Sequence, residues 1–172
     1  VRVAQKLLEW RLPTLALQVL ETAGQQEDPP VDVFIQKGLT LKALGKEKES
    51  LEAFEEALGI SPGNADARKE LVTARIKEQD LPGAVSLILD GAALPSLSAE
   101  QLVGLVELYI QTIAASPNLL AELKGEFTTL LERTDKFDIE TPEARVTLAD
   151  GFTFIGETER AQSLLQSVVK SA

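Results

Sequence analysis

The 172-residue sequence contains no cysteine, no histidine and no methionine. Without cysteine there can be no disulfide framework, no thiol nucleophile and no thiolate metal site, and the redox compartment cannot be read from the sequence. Without histidine, the chain lacks the most common general base and the most common metal ligand. The sequence therefore predicts no cofactor and no metal site.

Basic residues are also scarce, with 17 Lys and Arg against 27 Asp and Glu and a formal net charge of −10. Nucleic acids and anionic membrane surfaces both require clustered basic residues, so this charge argues against either partner. No apolar run reaches the roughly 20 residues that span a bilayer, and no signal-peptide pattern opens the chain. These features favour the cytoplasm and predict no direct insertion into a membrane.

The first residues, VRVAQKLLEW, lack an initiator Met and have the pattern of a helix interior. We therefore expect a fragment of a longer chain, whose targeting segment could be missing. Aromatic residues make up only 5% of the sequence, whereas Ala, Leu, Glu and Lys are abundant, a mixture that favours helix over sheet.

Proline and glycine divide the chain into short runs in which apolar residues recur at three- and four-residue spacing, the period of a helix. Runs of alternating, β-branched character are absent. The pattern predicts about ten helices joined by short turns. Proline and glycine breaks fall near Pro13, Pro29, Gly45, Pro62, Pro82, Pro95, Pro117, Pro142 and Gly156.

These helices recur at a fixed interval. Residues 31–64 align with residues 65–98 at an offset of 34, which pairs Phe54 with Ile88. A later unit begins at Pro142, 43 residues after the start of the one before it, which indicates an insertion. A constant period of this length is typical of a stacked array. The predicted units are about 1–30, 31–64, 65–98, 99–141 (atypical, with the insertion) and 142–172.

The clearest unit, residues 31–64, combines large, small and turn-forming residues with the phrase LEAFEEAL. These residues are Phe34, Gly38, Leu41, Phe54, Ala57 and Pro62. With this period and these residues the unit resembles the tetratricopeptide repeat, although Lys37 and Ser50 depart from its pattern. The resemblance implies an all-α fold: a right-handed α-solenoid of about five antiparallel helix pairs, a single superhelical array over residues 1–172. It also implies that Tyr109 occupies a core position.

Proteins of this family bind peptides or partner helices along an inner surface formed by the first helix of each pair. The resemblance therefore implies a partner-binding surface that includes Trp10, Ile35, Leu39, Lys42, Lys69, Thr73, Ile76, Lys77, Val103, Glu107 and Ile110. Equivalent positions hold Arg2, Lys6, Val146, Asp150 and Phe154. Trp10 could instead cover an end of the array. Basic residues lie towards the N-terminal part of the set, which would suit a partner with an acidic part near Lys42, Lys69 and Lys77.

No stretch has the features of a catalytic site. The segment GKEKES at Gly45 lacks the upstream glycine and strand of a nucleotide loop. The segment DKFDIE, residues 135–140, lacks the glycine and the ligands of a calcium loop, so we interpret it as a polar connector. Carboxylate pairs such as Glu55 and Glu56 are interpreted as a solvated helix face. Arg68 and Arg75 share a helix face and either pack and pair with glutamates or form an anion site.

One specific binding function is disfavoured. The members of this family that bind chaperone tails hold a C-terminal carboxylate with a Lys/Asn clamp, but the matching positions here are Ile35, Leu39, Asp66 and Glu70. The sequence instead predicts a non-catalytic scaffold that binds a peptide or helix of another protein. Two alternatives stay open: a self-assembling structural domain, in which residues 115–141 or an end helix make a homo-oligomer, and a regulatory domain of a larger protein.

Overall fold

The computed structural model describes residues 1–116 and 118–171, so the break predicted at Pro117 lies outside the described residues. Within those ranges the chain forms ten α-helices and no β-strand. The helices are α1 Arg2–Glu9, α2 Pro13–Gly24, α3 Val31–Ala43, α4 Glu47–Ile60, α5 Ala65–Lys77, α6 Leu81–Ala92, α7 Ala99–Ala115, α8 Leu119–Asp135, α9 Pro142–Ile155 and α10 Thr158–Ser171.

The chain forms two compact units, Val1–Ala74 and Arg75–Ala172, and the boundary between them lies within α5. In the first unit, α2 packs against α1 and α3, and α3 packs against α4. In the second, α7 packs against α6, α8 and α9, while α9 also packs against α8 and α10. Sequential helices therefore pair in both units, as the helical periodicity predicts. The single array over residues 1–172 stays a prediction.

The long fourth repeat has longer helices rather than an inserted loop. Helices α7 and α8 each contain 17 residues, whereas α5 contains 13 and α6 contains 12. The connections that leave the two pairs, 93–98 and 136–141, have equal lengths. The extra residues therefore add roughly one helical turn to each member of the α7–α8 pair.

The turns inside four helix pairs share one backbone geometry. Arg11, Gly45, Gln79 and Gly156 have left-handed φ values of 58°, 75°, 60° and 87°, and the first three are spaced 34 residues apart. After each of them, the next N–H donates to the carbonyl five residues back, at 2.8–3.0 Å. This pattern satisfies the last carbonyls of the first helix in each pair. Glycine adopts the conformation without strain, whereas Arg11 and Gln79 adopt it at a steric cost.

Replacing the strained residue in the third turn should therefore stabilise the protein. We expect Gln79→Gly to raise the free energy of unfolding by about 0.5–1 kcal/mol, because the relief of about 1–2 kcal/mol of left-handed strain exceeds the backbone entropy cost of glycine. Urea unfolding measures the change. As the control, Gln162→Gly in the exposed part of α10 should destabilise by about 1 kcal/mol. A loss of stability at both positions would show that the turn at Gln79 is not strained.

The core of the first unit depends on a close approach of α3 to α4. A Cβ atom at Gly38 would lie 2.7 Å from the ring of Phe54, which is 1% exposed, so only glycine allows the helices to lie this close. The buried Ser50 hydroxyl donates a hydrogen bond to the Gly38 carbonyl at 2.7 Å. This bond gives Ser50 a partner and explains how a polar residue is accommodated where the repeat pattern has alanine.

In the second unit, Tyr109 of α7 is fully buried and its ring stacks on Phe127 of α8. The two ring centroids are 4.6 Å apart and the planes differ by 8°. The phenol hydroxyl donates to the Leu123 carbonyl at 3.3 Å, so its polar end has a partner. The prediction that Tyr109 is a core residue is confirmed.

Candidate protein-binding surface

In the first unit, Leu39 and Lys42 are the residues of the predicted surface on α3 that are exposed. Leu39 retains 40% of its accessible surface, a large apolar area in contact with water. Ile35, which was also predicted to lie on this surface, is only 7% exposed and packs in the core of the first unit. Of the predicted surface positions on α3, only those in its C-terminal half are accessible.

An ion pair links this surface to α5. The Lys42 ammonium lies 2.5 Å from a carboxylate oxygen of Glu70 on α5. This carboxylate partly neutralises the positive charge that Lys42 was predicted to present to an acidic partner. Lys69 is exposed and has no ion pair within the described ranges. The Thr73 hydroxyl donates to the Lys69 carbonyl at 2.7 Å, which ties it to its own helix. Lys69 is thus the predicted cation of the first unit that stays available to an acidic group.

Trp10 immediately follows α1 and is 65% exposed, so most of the indole is open to a partner. Nearby, α1 and α2 enclose an open groove of about 500 Å³ that is lined by apolar and uncharged polar side chains. Trp10 is not among the residues that line it. Whether Trp10 binds a partner or covers an end of the array stays a prediction.

In the second unit, α7 and α9 lie side by side and each exposes one row of side chains. We call this surface the α7/α9 face; it comprises Val103, Glu107, Ile110, Val146, Asp150 and Phe154. Val146 and Phe154 are 38% and 37% exposed, Val103 and Ile110 are half-buried, and both carboxylates are exposed. Spacings of three and four residues place each row on one side of its helix. The face therefore combines apolar residues with negative charge.

Two residues of the predicted surface lie at the end of α5: the half-buried Ile76 and the exposed Lys77. Arg75, beside them, forms ion pairs with Glu78 at 3.7 Å and with Asp80 at 3.3 Å. Arg68, 6% exposed, donates to the Pro62 carbonyl at 2.5 Å. Both guanidinium groups are therefore engaged by the protein itself, which favours the structural interpretation of the two arginines over an anion site.

The connector between α8 and α9 has a role that the sequence interpretation missed. Together with the N-terminal ends of α7 and α9 it encloses a groove of about 490 Å³. The lining residues are Ala99, Glu100, Val103, Asp138, Ile139, Glu140, Thr141 and Ala144. Ile139 is 8% exposed, and the presence of the apolar residues Phe137 and Ile139 among the charged residues of the connector was the available signal. We call this feature the connector groove.

Few features of the described residues suggest chemistry. No group of three or more Asp and Glu side chains in those residues is arranged to hold a metal ion. The pKa of Tyr109 is raised to about 12, first because burial disfavours the charged phenolate and second because Glu126 repels it. Tyr109 lies in the core rather than in a groove. None of the helices in residues 1–116 and 118–171 is long and apolar enough to cross a bilayer.

No protein-family model matches this chain, and no curated protein matches its sequence. Solved structures do match its fold. A crystal structure of MamA has a TM-score of 0.61 at 14% identity and covers 98% of this chain and 93% of its own. MamA from Desulfovibrio magneticus RS-1, residue 41 to its end, has a TM-score of 0.59 at 16% identity, with coverages of 98% and 90%.

A Podosopora anserina protein described as a kinesin light chain with nearly identical TPR-like repeats also matches this chain. Its TM-score is 0.59 at 18% identity, and the match covers 98% of this chain and 91% of the other. At these identities the likeness shows the fold alone. It confirms the predicted all-α fold built from tetratricopeptide-like helix pairs.

Proposed function

We propose that this chain, which has a tetratricopeptide-like repeat fold, is a non-catalytic scaffold that binds a peptide or helix of a partner protein. The observation that carries the proposal is the exposure of large apolar side chains on first helices, each next to a charged residue. Leu39 lies beside Lys42 in the first unit, and Phe154 follows Asp150 on the same side of α9. Exposed apolar surface bordered by polar residues is typical of a protein-binding site.

The two units favour different chemistry in the bound segment. In the first unit, an apolar side chain would pack on Leu39 while an acidic group contacts Lys69 and competes with Glu70 for Lys42. In the second, the carboxylates of the α7/α9 face favour basic residues. Complementary charges of this kind select the orientation of a partner, while buried apolar anchors contribute most of the affinity.

Substitution of the exposed leucine tests the proposal. We expect Leu39→Glu to weaken binding of a partner, identified by affinity capture from the native host, by at least about tenfold, because truncation of a buried anchor costs more than about 1 kcal/mol and a new carboxylate must also be desolvated. Titration with the purified partner measures the affinity. Circular dichroism and thermal unfolding should stay near wild type, since Leu39 is 40% exposed in the free protein.

Val169→Glu is the matched control, because Val169 is also an exposed aliphatic residue but lies on α10, a second helix. It should leave the affinity unchanged. Equal binding by wild type and Leu39→Glu would contradict the role assigned to α3. Sedimentation of the same samples at several concentrations tests the self-assembly alternative, which predicts a mass that rises with concentration.

A further inference from the structure

We propose that the connector groove holds one cationic side chain, an arginine or lysine, from the segment that binds the α7/α9 face. This inference rests on the proposed function and specifies the partner chemistry in the second unit. Val103 belongs to both the face and the groove, so the groove adjoins the face and lies within reach of a segment bound there. The remaining argument concerns the size, the charge and the rigidity of the groove.

The groove has the dimensions and the apolar floor that a long side chain requires. Its volume is about 490 Å³, and Val103 and Ile139 provide aliphatic surface, with Ala99 and Ala144 lining the same space. Ile139 is 8% exposed and Val103 is half-buried, so neither side chain is free to fill the groove. Lysine and arginine bury aliphatic stems against such surfaces while their charged ends remain near polar groups.

The charges around this floor favour a cation. Glu100, Asp138 and Glu140 line the groove and are exposed, and none of these carboxylates forms an ion pair with another described residue. The N-terminal ends of α7 and α9 each bring a partial positive charge of about half a unit, which the three full negative charges of the carboxylates outweigh. The caps of both helices also occupy backbone donors. Ser98 accepts from the Gln101 amide at 3.2 Å, and Thr141 accepts from the Ala144 amide at 3.3 Å.

The protein holds the connector in place before any partner binds. The Arg145 Nε donates to the Ile139 carbonyl at 2.6 Å, and its Nη1 lies 3.5 Å from the Ser167 hydroxyl of α10. Arg145 is not among the residues that line the groove. The Arg160 Nη2 donates to Asp135 at 2.8 Å just before the connector. A preformed groove loses little conformational entropy on binding. Arginine should bind better than lysine, because its planar group can donate to two carboxylate oxygens at once.

A small probe tests the groove without the partner. N-acetyl-arginine amide is titrated into the labelled protein and backbone amide shifts are followed by NMR, with N-acetyl-citrulline amide as the neutral probe of the same shape. We expect weak, saturable shifts confined to residues 99–103 and 138–144, and much smaller shifts with the citrulline probe. The variant Glu100→Gln plus Glu140→Gln should weaken binding of the arginine probe by about fivefold, since two partly solvated ion pairs are lost.

Glu47→Gln plus Glu52→Gln is the matched control, because it removes the same charge from exposed positions of α4 in the first unit. It should leave the probe affinity unchanged. Shifts scattered over the acidic surface, equal shifts with citrulline, or equal affinities of the two double variants would each overturn the proposal. If the groove does not bind the arginine probe, Leu39→Glu should still weaken partner binding. If the scaffold function is wrong, partner capture should be unchanged by every first-helix substitution, including Leu39→Glu.

Discussion

Phe54→Ala should lower the free energy of unfolding by about 3–5 kcal/mol, the cost of removing a buried phenylalanine and leaving a cavity. Phe54 is 1% exposed, and its ring lies against Gly38 across the α3–α4 interface. Gly38 has no side chain that can move into the space, so the cavity cannot close locally. The loss is a large fraction of the 5–15 kcal/mol that typically stabilises a whole domain.

Urea unfolding monitored by circular dichroism measures this change. Phe137→Ala is the control, since Phe137 is 40% exposed in the α8–α9 connector and should lose only about 1 kcal/mol or less. The same method separates the contribution of Gly38. Gly38→Ala alone should cost about 1–3 kcal/mol by overpacking, but much less when Phe54 is already alanine. Additive effects of the two substitutions would contradict the direct contact.

This contact also positions the proposed binding surface. Leu39 immediately follows Gly38, so the packing distance between α3 and α4 determines where the Leu39 side chain lies relative to the core. A substitution at the α3–α4 interface that displaces α3 should therefore weaken partner binding and also lower the stability of the fold. Leu39→Glu, by contrast, should weaken binding without a loss of stability.

The stability of the second unit should fall sharply when the pH rises from 10 to 12. The pKa of Tyr109 is about 12 in the folded protein against an ordinary value of 10.0. The unfolded chain therefore loses the phenol proton first, and the folded state loses stability throughout this interval. Below pH 10 the contribution is fully present, and its loss by pH 12 amounts to about 2–3 kcal/mol.

Tyr109→Phe isolates this effect, because Tyr109 is the only tyrosine in the sequence. The variant should lose about 1 kcal/mol or less near neutral pH, since it gives up one hydrogen bond to the Leu123 carbonyl. Its unfolding curves should then lack the extra destabilisation between pH 10 and 12 that wild type shows. Tyrosinate absorbance of folded wild type should titrate near pH 12; titration near 10 would contradict the burial of the hydroxyl.

Local pattern was enough to predict the helices and small and large core residues such as Gly38 and Phe54. Spacings of three and four residues identify helix faces, and Gly38 paired with Phe54 is a small-and-large combination that the repeat resemblance assigns to neighbouring helices. The same offsets indicated an insertion in the fourth unit, and the structure places the extra residues within α7 and α8. A period reports how many residues separate two units and does not distinguish a longer helix from a longer loop.

The candidate surface was less predictable, because exposure depends on residues that are distant in sequence. Ile35 and Leu39 are one helical turn apart and both fit the predicted inner face, yet only Leu39 is accessible. Lys42 is paired with Glu70, 28 residues away, and no local pattern indicates that pair. The connector groove likewise requires the start of α7, the 136–141 connection and the start of α9 to meet.

By itself, the sequence determined the all-helical repeat fold, the net acidity and the absence of cysteine and histidine chemistry. These properties follow from composition, helical periodicity and the 34-residue repeat with its family resemblance. Only the tertiary structure decided which first-helix residues are open to a partner, which charges are already paired, and that Arg11 and Gln79 adopt the left-handed turn seen at Gly45. Those properties depend on how helices pack, and packing is a relation between segments that no single segment encodes.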